Sequence, residues 1–213
     1  MRLLDLYCGA GGGAVGYYKA GFTSIVGVDI VPQRNYPFSF IRENVLNLDL
    51  EFLKGFEVIH ASPPCQAYSA SKHNLAWYFP DIIEETRELL KETGKIYVIE
   101  NIPKAPLIDP IMLCGTMFPG LRVIRHRCFE SNYPLVAPPH IEFSEHPVVY
   151  SNKRHPEKDQ FSSFITVTGG GNSTLENAKK AMGIDHPILK REINEAIPPA
   201  YTEYVGRQLI EAS

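Results

Sequence analysis

No stretch of this 213-residue chain stays apolar for the roughly 18–20 residues that a bilayer-spanning helix needs, so no membrane partner is expected. A cleavable leader pattern is also missing, because Met1-Arg2-Leu3-Leu4-Asp5 runs straight into an apolar strand. Cysteine is sparse. Cys8, Cys65, Cys114 and Cys128 stand without zinc-type spacing, and a chain this long does not need disulfide staples, so neither a metal set nor a disulfide framework is expected. A reduced, cytoplasmic protein is the simplest reading. There is no basic excess: the formal net charge is -3, so any surface for a polyanion has to be local. Candidates are Lys72 and His73, then Arg122, Arg125 and Arg127, then Lys153, Arg154, His155 and Lys158. Internal repeats and low-complexity segments are absent as well, which leaves one sizeable α/β domain as the expected organisation.

What is present is a run of short apolar segments separated by turn residues. Residues 2–7 read as a buried strand that enters Cys8-Gly9-Ala10-Gly11-Gly12-Gly13. A small-residue helix over 14–20 follows, stopped by Gly21, and a second strand over 24–28 ends on Asp29. Strand, glycine turn, helix, strand, acid is the opening of a doubly wound, mostly parallel nucleotide-binding sheet. Further strands are predicted over 41–45, 56–61 and 96–99, with a helix over 81–92 whose Ile82, Ile83, Leu89 and Leu90 share one stripe. Asp81 and Gly94 stand where helix caps are expected, and the helix's charged residues read as a solvated face. Beyond Pro103 the pattern is less regular. A hairpin is expected over 121–129, an extended insertion or small subdomain over 133–164, and a closing helix over 201–210 behind Pro198-Pro199.

Two places carry chemistry. Glycines let a backbone approach a ligand closely and turn into a helix whose amide end favours polar or anionic groups. Asp29, about 20 residues beyond the first glycine, is placed to accept from ribose hydroxyls. That much suits a nicotinamide dinucleotide as well as other nucleoside cofactors. The second place is the exit of strand 56–61, Ser62-Pro63-Pro64-Cys65-Gln66, followed by a polar loop over 67–74. Two prolines stiffen the turn and set Cys65 at the carboxyl edge of the sheet, where open α/β sheets bind ligands. Pro, Gln, Tyr and Ser neighbours make a poor core, so Cys65 reads as a nucleophile, whereas Cys8, Cys114 and Cys128 read as buried small hydrophobes. Glu100-Asn101-Ile102-Pro103 closes the next strand and brings a carboxyl to the same edge.

In this order the motifs resemble the cytosine-5 methyltransferase family, DNA type, over nearly the whole chain. Asp5-Leu6-Tyr7-Cys8-Gly9-Ala10-Gly11-Gly12 is similar to its cofactor motif, and Val28-Asp29 to the acid after its second strand. Pro63-Pro64-Cys65-Gln66 is similar to its nucleophile motif, Glu100-Asn101-Ile102 to its glutamate motif, Arg125-His126-Arg127 to its paired arginines, and Ala196-Ile197-Pro198-Pro199 to its closing segment. There are departures. Tyr7 replaces the usual Phe, Asp29 the usual Glu, Asn44 a common Asp, and Asn194-Glu195 a common Gly-Asn pair. The region between Arg127 and the closing motif is only about 70 residues, where the family carries a larger recognition domain.

The resemblance implies an S-adenosylmethionine-dependent methyltransferase fold. It divides the chain into a catalytic, cofactor-binding part (1–130), a reduced recognition region (131–190) and a closing segment packed back on the first part (191–213). It implies S-adenosylmethionine held by Asp5, Tyr7, Gly9, Gly11, Gly12, Asp29, Ile30, Asn44, Val45 and Pro63. The implied substrate is a cytosine in double-stranded DNA, flipped into the pocket as in restriction-modification enzymes. A thiolate of Cys65, its pKa lowered by Arg125 or Arg127, would add to carbon 6. Glu100 would hydrogen-bond ring nitrogen 3 and the amino group. Arg125 would hold the carbonyl oxygen, with Arg127 beside it or on phosphate. The same motifs serve a tRNA-methylating branch of the family. A cofactor-binding subunit without activity, and a nicotinamide oxidoreductase, also stand as alternatives. The first leaves the retained Cys65, Glu100 and Arg125 unexplained, and the second leaves the Pro-Pro-Cys turn unexplained. Partner and oligomeric state, monomer or accessory complex, stay open.

Overall fold

Leu3, Leu4 and Leu6 are wholly buried because their strand, β1 (Arg2–Leu6), has a parallel neighbour on each side. The computed structural model describes residues 1–68, 80–140, 164–168 and 173–211. These form a seven-stranded sheet in the order β3 (Ser39–Arg42), β2 (Ser24–Asp29), β1, β4 (Val58–Ala61), β5 (Ile96–Asn101), β7 (Arg127–Ser131) and β6 (Ile111–Leu113). The first five run parallel, and β7 is antiparallel to both its neighbours. The order reverses between β1 and β4, and open α/β sheets bind ligands at the carboxyl ends of the strands beside such a switch point.

Helices cover both faces. On one, α1 (Gly12–Ala20) and α6 (Pro199–Glu211) close a core containing Leu3, Tyr17, Val58, Val98, Phe129 and Tyr201. Small residues let these two helices touch: a Cβ on Gly16 would stand 2.0 Å from Thr202 Oγ1, and one on Gly206 2.8 Å from the Ala20 Cβ. On the other face, α2 (Leu50–Lys54) and α3 (Ile83–Thr93) cover Leu4, Leu6, Ile59, Ala61 and Ile99. A third, smaller core joins Ala10, Val123, Ile165 and Val167 to α4 (Leu175–Met182) and α5 (Lys190–Glu195). No helix among the described residues is long and apolar enough to cross a membrane.

Several expectations are corrected here. The third strand ends at Arg42 and not at residue 45, because Asn44 accepts from Leu46 N at 3.1 Å and starts a 3-10 turn that tips Val45 into the core. The hairpin is built from β6 and β7, not from residues 121–129. Residues 121–126 leave the sheet, and Val123 bridges in parallel to Ile165 instead. Asp81 does not cap α3; it accepts from the Tyr68 hydroxyl, and Ile82 occupies the cap position without a side-chain bond. Nor is the charged face of α3 wholly solvated. Arg87 is 1% exposed and grips Glu130 of β7 with two hydrogen bonds, Nε to Oε1 at 2.7 Å and Nη2 to Oε2 at 3.0 Å. Nη2 also donates to the Pro106 carbonyl at 2.8 Å, and Nη1 donates to Glu84 on the same helix. A buried, bidentate pair of this kind fixes orientation, because either partner alone would be a charge left without water.

Candidate active site

The register of the two central strands explains how the site forms. Ala61 of β4 stands opposite Ile99 of β5, so the next residue of each, Ser62 and Glu100, emerges at the same carboxyl edge. The Ser62 hydroxyl stands near enough to the Glu100 carboxylate to favour its charged form. One step further, Asn101 Nδ2 donates to the Pro63 carbonyl at 2.8 Å and clamps the proline turn against β5. Cys65 follows on that clamped turn, and its carbonyl accepts from Tyr68 N at 3.0 Å as the chain enters a short 3-10 turn (Gln66–Tyr68). Cys65 is half-buried and forms no disulfide.

Glu100 is 5% exposed. One carboxylate oxygen, Oε1, lies 2.9 Å from Arg127 Nε, but out of line for a hydrogen bond, and receives none from any described group. Burial raises the Glu100 pKa, and the pull of Arg127, Arg125 and the Ser62 hydroxyl does not fully offset it. Cys65 feels the same groups. Burial raises its pKa first, Arg127 lowers it, Glu100 raises it and Arg125 lowers it, with a net upward shift. The expected depression by the arginines is therefore present but outweighed, and the resting site holds a thiol. Cys65, Glu100, Arg125 and Arg127 thus sit close enough to perturb one another.

The two arginines differ in use. Arg125 is buried, with one guanidinium nitrogen donating to the Val167 carbonyl at 2.5 Å and another to the Asn194 carbonyl at 2.8 Å. Its Nε is buried without a hydrogen-bond partner among the described residues, and burial, then the charge of Arg127, lowers its pKa to about 9. Arg127 is the one beside the Glu100 carboxylate, steadied by its own bond to the His126 carbonyl at 2.9 Å.

Behind Glu100 runs a buried polar chain that sequence reading missed. Tyr17 hydroxyl meets His60 Nδ1 at 3.0 Å, and His60 Nε2 meets Ser62 Oγ at 2.9 Å. Complete burial pushes His60 down to about 3, so the ring is neutral and links a donor to an acceptor. Alternation within β4 gave no signal for this, since His60 occupies a position that reads as core.

The glycine turn lies beside this edge. Gly9 adopts φ 49, its N–H donates to Asp29 Oδ2 at 3.1 Å, and a Cβ there would meet nothing within 4 Å. The other two glycines serve packing: a Cβ on Gly11 (φ 84) would stand 2.5 Å from Pro37 Cδ, and one on Gly12 2.6 Å from the Ile197 carbonyl oxygen. Tyr7, a non-glycine at φ 55, turns its hydroxyl to Thr86 at 2.9 Å. Asp5 is buried and accepts from Tyr36, and burial holds its pKa well above the usual carboxylate range. Ile30 is 62% exposed at the rim, whereas Val45 is core and Asn44 has its oxygen engaged in capping. Glu195, singled out by sequence only as a departure, is exposed but near enough to Asp29 for the two carboxyls to repel; partial desolvation first, then Asp29, raises its pKa. The closing segment reaches both parts of the site, with Ile197 against Gly12 and the Tyr201 hydroxyl donating to the Arg125 carbonyl at 2.7 Å. Lys72, His73 and most of the loop 67–74, together with Lys153, Arg154, His155 and Lys158, lie outside the described residues.

Residues 1–105 match the family model for C-5 cytosine-specific DNA methylases. A curated relative, the Type II methyltransferase M1.HphI of Haemophilus parahaemolyticus, is 29% identical over 122 residues, which span 49% of this chain and 33% of the relative. The match thus covers about a third of that protein's length. Among solved structures, an E. coli prophage protein assigned as a DNA modification methyltransferase superposes with a TM-score of 0.69 at 16% identity, covering 99% of both chains. Spodoptera frugiperda DNMT2, in a mutant form, gives 0.61 at 14% identity over 99% of this chain and 98% of that one. S. pombe Dnmt2 methyltransferase gives 0.61 at 13%, over 100% and 98%. At such identities the likeness concerns the fold, which is the α/β sheet of S-adenosylmethionine-dependent methyltransferases. The segment that carries the glycine turn, the Pro-Pro-Cys turn and the glutamate strand is the part of this chain that is similar to the C-5 cytosine-specific DNA methylase family.

Proposed function

We propose that the protein transfers a methyl group from S-adenosylmethionine to carbon 5 of a cytosine flipped out of double-stranded DNA. The observation that carries the reading is the meeting of Cys65 and Glu100 at one strand edge, with a buried Glu100 oxygen that receives no hydrogen bond from the described residues. A cytosine amino group is a donor that suits that oxygen, and ring nitrogen 3 suits a carboxyl that holds its proton to higher pH than usual.

The glycine turn fits the cofactor. Gly9 faces open space, Asp29 and Glu195 offer acceptors for ribose hydroxyls and an ammonium group, and exposed Ile30 offers an apolar surface for a base. When bound, S-adenosylmethionine supplies an electrophilic methyl group on its sulfonium. The chain does the rest. Cys65 loses its proton to water and bonds to carbon 6, Glu100 donates its proton to ring nitrogen 3, and the electron density pushed onto the ring makes carbon 5 nucleophilic. Arg127, already against Glu100, is the arginine we assign to the carbonyl oxygen, whereas Arg125 acts mainly as a brace between Val167 and Asn194. After transfer, the carbon 5 proton leaves to water, the sulfur–carbon 6 bond breaks to regenerate the thiolate, and the proton on ring nitrogen 3 returns to Glu100. The base has to leave the stack first, at a cost of a few kcal/mol that edge contacts offset. Residues 131–190 serve as a reduced recognition region in this reading, and a cytoplasmic setting with free thiols suits the nucleophile.

Labelled methyl transfer to duplex DNA and to tRNA tests the assignment. Incorporation into duplex DNA is expected, with Cys65→Ala reducing it at least about a thousandfold while S-adenosylmethionine binding persists. Transfer to tRNA alone would move the substrate to RNA, and undiminished transfer by Cys65→Ala would remove the nucleophile.

A further inference from the structure

Cys114 does more than fill space. It directly follows β6, and His126 directly precedes β7. Because Leu113 pairs antiparallel with Arg127, the next residue on each side, Cys114 and His126, comes face to face just past the end of the ladder. His140, at the end of the stretch that leads away from β7, closes on the same point; its ring centroid is 5.6 Å from that of His126. One ligand atom from each of the three residues lies within 4.8 Å of the other two. Donor atoms around a tetrahedral zinc ion stand about 3.5 Å apart, as bond lengths of about 2.0–2.3 Å require, so small side-chain adjustments bring these three to coordination distance.

We propose that Cys114, His126 and His140 form a three-residue zinc site that ties the arginine-bearing strand to the start of the recognition region. One thiolate and two imidazoles are a donor set that borderline-soft Zn²⁺ favours over Mg²⁺ or Ca²⁺, with water completing the tetrahedron. Binding displaces one proton from the Cys114 sulfur to solvent. The site also has a task. His126 stands between Arg125 and Arg127, so a metal there fixes the backbone that presents Arg127 to Glu100. A recognition region too small for a large apolar core gains a tie that packing does not supply. The ligands escape motif reading because they are scattered along the chain and are collected only by the β6–β7 pairing.

The test is metal analysis of the full chain purified without chelators, beside Cys114→Ser, His140→Ala and Cys65→Ala. About one zinc per chain is expected in the wild type and in Cys65→Ala, with at least a tenfold loss in Cys114→Ser and His140→Ala. Should those two variants misfold, the metal-free wild type and Cys65→Ala decide the matter by titration with Co²⁺: a thiolate-to-cobalt charge-transfer band in both supports the site. Zinc retained in full by Cys114→Ser or His140→Ala, a band that vanishes in Cys65→Ala, or a wild type that binds neither metal would overturn it.

Discussion

The parallel half of the sheet and the part built after β5 obey different rules. From β1 to β5, each element is specified by its own residues. The mostly apolar strands Arg2–Leu6 and Val58–Ala61 lie between neighbours, the turns that follow them carry Gly9 and Cys65, and β5 itself presents Glu100 near its carboxyl end. After β5 the elements depend on distant partners. Arg125 is held by carbonyls of residues 167 and 194, the Tyr201 hydroxyl braces the Arg125 carbonyl, and Glu130 is held by Arg87 of α3. The proposed nucleophile and acid come from the locally specified half, and the cations whose charge bears on them come from the other. The proposed mechanism thus requires the second half to be docked on the first.

The largest effect should come from cutting the tie between the two. Arg87→Ala leaves Glu130 buried without its partner and is expected to cost about 3–5 kcal/mol, read as a lower urea midpoint. A loss under about 1 kcal/mol would mean that the halves are held by packing alone. A smaller effect should come from within the first half. Glu100→Gln keeps the shape but removes the proton given to ring nitrogen 3, and transfer should fall about 10²–10³-fold in kcat with cofactor affinity unchanged. The smallest should come from the second half acting on the first. Burial and Glu100 raise the Cys65 thiol while Arg127 lowers it, so the reactive thiolate is gained as pH rises. Arg127→Gln should move the pH profile of Cys65 alkylation upward by about one unit, toward alkaline pH. A downward shift, or none, would show that Arg127 does not act on the sulfur.

The same contrast decides what could be read from the sequence. The sheet, the glycine turn, Cys65 and Glu100 were legible because periodicity and turn chemistry are local signals. The fate of Arg87 was not, since a helix position with charged neighbours gives no hint of a carboxylate arriving from β7. Val45 and Asn44 look like rim residues until a one-turn cap tips one into the core and occupies the other. The Tyr17–His60–Ser62 chain was hidden for a similar reason: its members come from α1, β4 and the turn after it, and each alone reads as core or turn. Cys114, a plain buried thiol by sequence, acquires two imidazoles only through strand pairing.

The account rests most directly on whether Cys65 attacks a pyrimidine. Duplex DNA carrying 5-fluorocytosine, incubated with the protein and S-adenosylmethionine, blocks the final elimination because fluorine cannot leave as a proton does. A protein–DNA adduct that survives denaturation and maps by mass spectrometry to Cys65 is predicted. Methyl transfer to ordinary duplex DNA with no trapped adduct, or an adduct on another residue, would contradict it.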